Sequence, residues 1–244
     1  MGVNERLTDR ERVELTKKSY EHLQLGNNIT IGPYDIGTVC RVEHAKDGMS
    51  AFVISSPSEI TILFKGSYGI KKGTPQTWRD EWFKTNIPIL RAMLSQERRI
   101  PSQLKTASTF LNHVINQFRG SRFYIYGHSL GSINAQFALA NCTHPEAIAA
   151  AYLYEGTNIW LLLTPKERRR VAQMRERVFN YVDIYDPVTL GITETHHMVG
   201  KLCYVDSEPM QPIKQHLWGG YQFNPDGSLK LRKIDQAFLA ESRS

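Results

Sequence analysis

Apolar positions along the chain change period several times, and each change marks an expected element. Thr8 and Glu11 form a capping box that opens a mostly polar segment carrying Val13, Leu15, Tyr20 and Leu23, which predicts an N-terminal surface helix. Residues 51–54 and 61–64 are short apolar runs separated by Ser55, Ser56, Pro57 and Ser58, a turn-rich spacer that suits a strand pair ending at Gly66. Leu104, Ala107, Leu111, Val114 and Phe118 then recur at intervals of three and four, one face of a helix. Next come a strand over 123–126, a helix rich in small residues over 130–140, and strands over 149–154, 178–185 and 201–205. Thr164, Pro165 and Glu167 supply the N-cap, N1 proline and capping-box partner of a charged helix reaching about Arg177.

Strands alternating with helices predict an α/β fold, with a mainly parallel central sheet and helices on both faces. A chain of 244 residues with 41% hydrophobic content can bury one large core, so a single domain over 1–244 is expected. Residues 1–50 are read as a helical or extended N-terminal extension packed on it. Residues 234–244 resemble the start of another helix, as in a module cut from a longer chain.

Charge and cysteine content narrow the function classes. The formal charge of +6 is concentrated at 166–177, where a solvated helix face and a contact with an anionic membrane surface are the competing readings. No nucleic-acid-binding module accompanies it, so a nucleic-acid partner is not expected. Cys40, Cys142 and Cys203 lack metal or thiol-redox spacing, and a reduced compartment is the default. No apolar run is long enough to span a membrane, and residues 1–12 lack the apolar stretch of a signal peptide. A cytoplasmic protein, or one exported by a leaderless route, is expected.

The chemistry concentrates in Gly127-His128-Ser129-Leu130-Gly131, a G-x-S-x-G pattern between an expected strand and an expected helix. A chance match in a chain of this length has a probability of about 10%, so the flanking elements carry the argument. A serine on so tight a turn has neighbours that would collide with side chains two positions away, and Gly127 and Gly131 remove them. The turn lifts the Ser129 hydroxyl above the sheet and aims the positive end of the next helix at a developing oxyanion.

A serine hydroxyl needs a base, and the base needs an acid, in the chain order Ser, acid, His. Asp186-Pro187 closes the strand over 178–185, and proline cannot donate to the ladder, so Asp186 is preferred to Asp183 as the acid at the sheet's carboxyl edge. His196 and His197 follow too closely to return to Ser129 and are assigned surface or packing roles. His216 lies beyond a further strand and is the preferred base, on a loop with Trp218, Gly219, Gly220 and Tyr221. For the oxyanion, Leu130 offers one backbone N–H and Ser67, after Phe64-Lys65-Gly66, the other.

Together these residues resemble the class-three lipases, the family of the fungal triacylglycerol lipases and related phospholipases. Phe64-Lys65-Gly66-Ser67 is similar to that family's Phe-Arg-Gly-Ser strand end, with lysine in place of arginine. Trp78, Asp80 and Trp82 resemble its Trp-Asp-rich helix, and Asp186-Pro187-Val188 its acid-bearing strand end with the proline displaced. The resemblance implies an α/β-hydrolase fold and hydrolysis of carboxylic esters, with catalytic Ser129, Asp186 and His216, an oxyanion hole at Ser67 and Leu130, and neither metal nor organic cofactor. It implies a lipid or acyl-ester substrate and an apolar flap over 86–100 in transient contact with a membrane surface, against the alternative of ordinary helix packing. A soluble-ester esterase or thioesterase, and a catalytically silent binding protein of the same fold, are the competing functions.

Overall fold

In the computed structural model residues 2–67, 100–189 and 197–233 are described. Two short helices, α1 (Val3–Arg6) and α2 (Asp9–Lys17), precede strands β1 (Asn28–Ile31), β2 (Tyr34–His44), β3 (Ser50–Ser55) and β4 (Glu59–Phe64). Then follow α3 (Ser102–Gln117), β5 (Arg122–His128), α4 (Leu130–Ala140), β6 (Ile148–Tyr154), α5 (Pro165–Gln173), β7 (Val178–Val182) and β8 (Lys201–Tyr204). The eight strands form one sheet in chain order. The hairpin connections from β1 to β4 make antiparallel pairs, and from β4 to β8 every pair is parallel. In the parallel part the carboxyl ends of all strands lie along one edge, where α/β sheets hold their ligands.

Period-two alternation sorts the strand residues onto two chemically different faces. Val53, Ile62, Phe64, Phe123, Ile125 and Leu153 meet the buried stripes of α3, α4 and α5 in an aliphatic core. Phe52, Leu63, Tyr124, Tyr126, Tyr152, Tyr154 and Tyr181 point the other way, beneath Val13, Leu15, Tyr20 and Leu23 of the N-terminal segment. Rings stack along this second face, Tyr126 on Tyr152 at 5.3 Å and Tyr154 on Tyr181 at 5.0 Å. Polar groups close it: the Tyr126 hydroxyl donates to Asn4 Oδ1 at 2.8 Å, and the Arg12 guanidinium lies 4.5 Å from the centre of Tyr152. The segment read as a surface helix is therefore the lid of a tyrosine layer. It is fastened at the far end of the chain, where Arg10 N–H donates to Gly227 O and Leu229 N–H to Asp9 Oδ2.

The structure departs from the sequence expectation in three places, the first being that the charged helix expected to reach Arg177 ends at Gln173 and is followed by a separate 3-10 turn over Arg175–Arg177. Residues 28–44 are not part of an extension lying on the sheet but two of its strands; only Ile36 and Val39 of β2 are buried, so its apolar pattern is faint. The strand expected over 178–185 ends at Val182, because the Asp183 carboxylate accepts the Tyr185 N–H at 3.0 Å and turns the chain there. The Trp78, Asp80 and Trp82 segment, His196, the proposed flap except Ile100, and residues 234–244 lie outside the described residues. Among the described residues no helix is long and apolar enough to cross a membrane.

Candidate active site

Ser129 stands between β5 and α4 with φ +57° and ψ −127°, a strained conformation for a non-glycine residue. The flanking glycines explain how the turn closes. A Cβ on Gly127 would come within 2.6 Å of Gly131 O, and one on Gly131 within 2.2 Å of Phe64 O. Ser129 N–H donates to Tyr154 O at 2.9 Å and Ser129 O accepts from Ile133 N–H at 3.2 Å, so the elbow is tied to β6 and to the first turn of α4.

The imidazole of His216 reaches the elbow from the other end of the chain. Its Nε2 lies 2.8 Å from Ser129 Oγ, and its Nδ1 lies 2.6 Å from Asp186 Oδ2. All three side chains are buried. The carboxylate is held as well: Asp186 Oδ1 accepts the Val188 N–H at 2.9 Å, so the Asp-Pro-Val turn presents its second oxygen to the ring. A carboxylate can only accept, so Nδ1 carries the hydrogen and Nε2 is free to accept from the serine hydroxyl.

The two residues expected around an oxyanion flank this arrangement. Leu130 is the first residue of α4, and Ser67 follows Gly66, on which a Cβ would lie 2.0 Å from the Tyr20 hydroxyl and 2.8 Å from His128 O. The strand end bearing Ser67 therefore touches the elbow, and only glycine permits that approach. Lys65 extends over the Phe52 ring at 5.9 Å.

Asp183, the competing acid, is engaged elsewhere. The side-chain amide of Gln215 donates to its Oδ2, Gly220 packs against that oxygen, and burial pushes the carboxyl up. It thus anchors the loop on either side of His216. His197 stacks on Trp160 at 5.6 Å and its carbonyl accepts from Asn158, a packing role. The His216 loop is a π-type turn over Gln215–Gly219, in which Trp218 rather than a glycine takes a positive φ of 61°.

Several neighbours of the site had no sequence reading. Glu155, buried at the end of β6 with φ +49°, accepts from the Asp183 N–H at 2.9 Å and from the Tyr221 hydroxyl at 2.5 Å. Burial, reinforced by the charges of Asp186 and Asp183, pushes its carboxyl well above the usual range. No spacing signalled it. His128 was only the variable position of the elbow motif, although it continues the alternation of Tyr124 and Tyr126. Its ring stacks on Trp218 at 3.8 Å. Among the described residues no group of His, Cys, Asp and Glu is arranged to hold a metal ion.

No family model matches the sequence, and no curated protein does. Solved structures do resemble the chain. A mutant form of MDLA from Penicillium cyclopium aligns over 94% of this chain and 86% of its own, with TM-score 0.52 and 16% identity. A triacylglycerol lipase from Penicillium expansum aligns over 92% and 82%, with TM-score 0.52 and 14% identity. A fungal lipase–inhibitor complex, described as a model for interfacial activation, covers 84% of this chain and 80% of its own, with TM-score 0.51 and 14% identity. What the chain shares with them is the α/β-hydrolase fold.

Proposed function

We propose that the chain is a serine hydrolase that cleaves carboxylic esters of lipids, as a lipase or a phospholipase of the A type, through Ser129, His216 and Asp186. The observation that carries this reading is the continuous relay of a strained serine hydroxyl, an imidazole and a carboxylate, with contacts of 2.8 and 2.6 Å. Lipid as the substrate draws on the likeness to structures named as lipases, one of them a triacylglycerol lipase.

The chemistry follows from the groups in place. His216 Nε2 takes the proton of Ser129 as the oxygen attacks the ester carbonyl. The N–H groups of Leu130 and Ser67, at the positive end of α4 and the end of β4, receive the oxyanion. The imidazolium is stabilised by Asp186 and returns its proton to the leaving alcohol, giving an acyl-serine. Water, activated by the same imidazole, then releases the acid.

The test is fatty-acid release from phospholipid vesicles and triglyceride emulsions beside a soluble butyrate ester, with wild type and Ser129→Ala. Wild type should release fatty acid and Ser129→Ala should be slower by about 10³-fold or more. An unchanged rate in the variant would remove the assignment. Turnover of the soluble ester alone would move the reading to a soluble-ester esterase.

A further inference from the structure

The relay above gives no task to the histidine inside the elbow itself. His128 is fully buried, and both ring nitrogens are engaged: Nδ1 lies 2.6 Å from the Tyr20 hydroxyl and Nε2 lies 2.8 Å from the main-chain carbonyl oxygen of His216. A carbonyl only accepts, so Nε2 must carry the hydrogen, which leaves Nδ1 as the acceptor and Tyr20 as the donor. The other tautomer would set a bare nitrogen against a carbonyl oxygen, two acceptors facing each other. The ring is further held between Trp218, stacked at 3.8 Å, and the edge of Tyr20 at 5.7 Å, while Tyr20 also meets Trp218 edge-on at 6.2 Å. Trp218, two residues beyond His216, has the positive φ that a bulky residue keeps only where its surroundings impose it.

We propose that His128 is a positioning residue: fixed in its Nε2–H tautomer by Tyr20, it clamps the main chain of His216 and so sets the reach of that imidazole to Ser129. The inference rests on the assignment of Ser129 and His216 proposed above. It makes the Tyr20 hydroxyl, from the N-terminal segment, a distant part of the machinery. The electrostatics agree with the geometry. Burial, aided by the nearby Lys17 charge, holds His128 well below the usual imidazole range, which favours the neutral ring that both bonds require. Lys17 lies 5.6 Å over Trp218, on the far side of the same cluster.

A purely structural histidine and a positioning histidine differ in one readout. Fluorophosphonate titration counts competent sites, and kcat per titrated site on 4-nitrophenyl butyrate then reports geometry alone. Misplacing a reacting group by about 1 Å can cost about 10²-fold, so kcat per site should fall by about 30- to 100-fold in His128→Phe, with KM within about twofold. Tyr20→Phe, which deletes one hydroxyl, should lose about 5- to 10-fold, and His128→Gln, whose amide can both donate and accept, should recover part of the loss. If His128→Phe does not fold, the other two decide. Wild-type kcat per site in Tyr20→Phe and His128→Gln, with loss only of thermal stability or of the titratable fraction, overturns the clamp and leaves the serine hydrolase reading standing. A wild-type protein that neither labels nor turns over ester overturns both.

Discussion

On the face covered by α3, α4 and α5 the strands present Val53, Ile62, Ile125 and Leu153, while on the opposite face the same strands present Phe52, Leu63, Tyr126 and Tyr154. Contacts on the first face are non-directional, and what they require is volume. The second face buries hydroxyls, a guanidinium and an imidazole, and directed bonds hold Tyr126 on Asn4 and His128 between Tyr20 and the His216 carbonyl. One of its rows runs straight to the site, Tyr124 and Tyr126 leading to His128, and Glu155 follows directly after Tyr154 at the end of β6. The comparison teaches that one face holds the molecule together and the other aims its side chains. Stability and turnover should therefore respond separately to substitution.

The largest separation is expected among the acids at the end of β7. Asp186→Asn should lower ester turnover by about 10³- to 10⁴-fold, because the imidazole loses its tautomer and its countercharge. Asp183→Asn, which can still accept the Tyr185 N–H, should lose about tenfold or less. Initial rates decide this, and equal losses would erase the distinction between the touching acid and the anchoring one. On the aliphatic face, Leu111→Ala removes a fully buried side chain and should destabilise by about 3 kcal/mol in denaturant titration. Its kcat per titrated site should stay within about twofold; a drop of tenfold would mean that the aliphatic face also aims the site.

The smallest effect is in pH. His128 has its folded value pushed below the ordinary 6.5, so the unfolded chain takes up the proton first. The stability it supports is complete above pH 6.5 and falls as pH drops below it, by about 1.4 kcal/mol per pH unit until the folded ring itself titrates. Glu155 acts with the opposite sign, its raised carboxyl adding a cost that grows as pH rises above 4.5. The readout is therefore the difference between wild type and His128→Gln across pH 5–7. A constant difference would show that His128 titrates alike in both states.

The parts of the fold most legible in the sequence are those with strong local patterns. α4 begins at Leu130 and ends at Ala140 as its small-residue run suggests, and Thr164, Pro165 and Glu167 cap α5 as their chemistry requires. The choice of Ser129, Asp186 and His216 used chain order and strand ends, which are local facts; His216 lies 2.8 Å from Ser129 Oγ and 2.6 Å from Asp186 Oδ2. β1 and β2 escaped notice because an edge hairpin with little burial leaves no clean alternation. Glu155 and Tyr20 escaped because their partners lie 28 residues or more away in the chain, and no window of sequence contains both halves of such a bond. Tertiary neighbours, not local period, decide which polar residues a protein buries.

The stitch between Asp9 and Leu229 joins residues 220 positions apart and bears on how the chain is made. During synthesis this helix emerges more than 200 residues ahead of the backbone groups that fasten it, Leu229 N–H and Gly227 O. Until then the tyrosine layer has its cover but not its fastening, and the His216 turn does not yet exist. Cover and fastening of the tyrosine layer are thus laid down far apart in time, so a ribosome-bound chain stalled before residue 216 would hold the helix without the stitch or the turn.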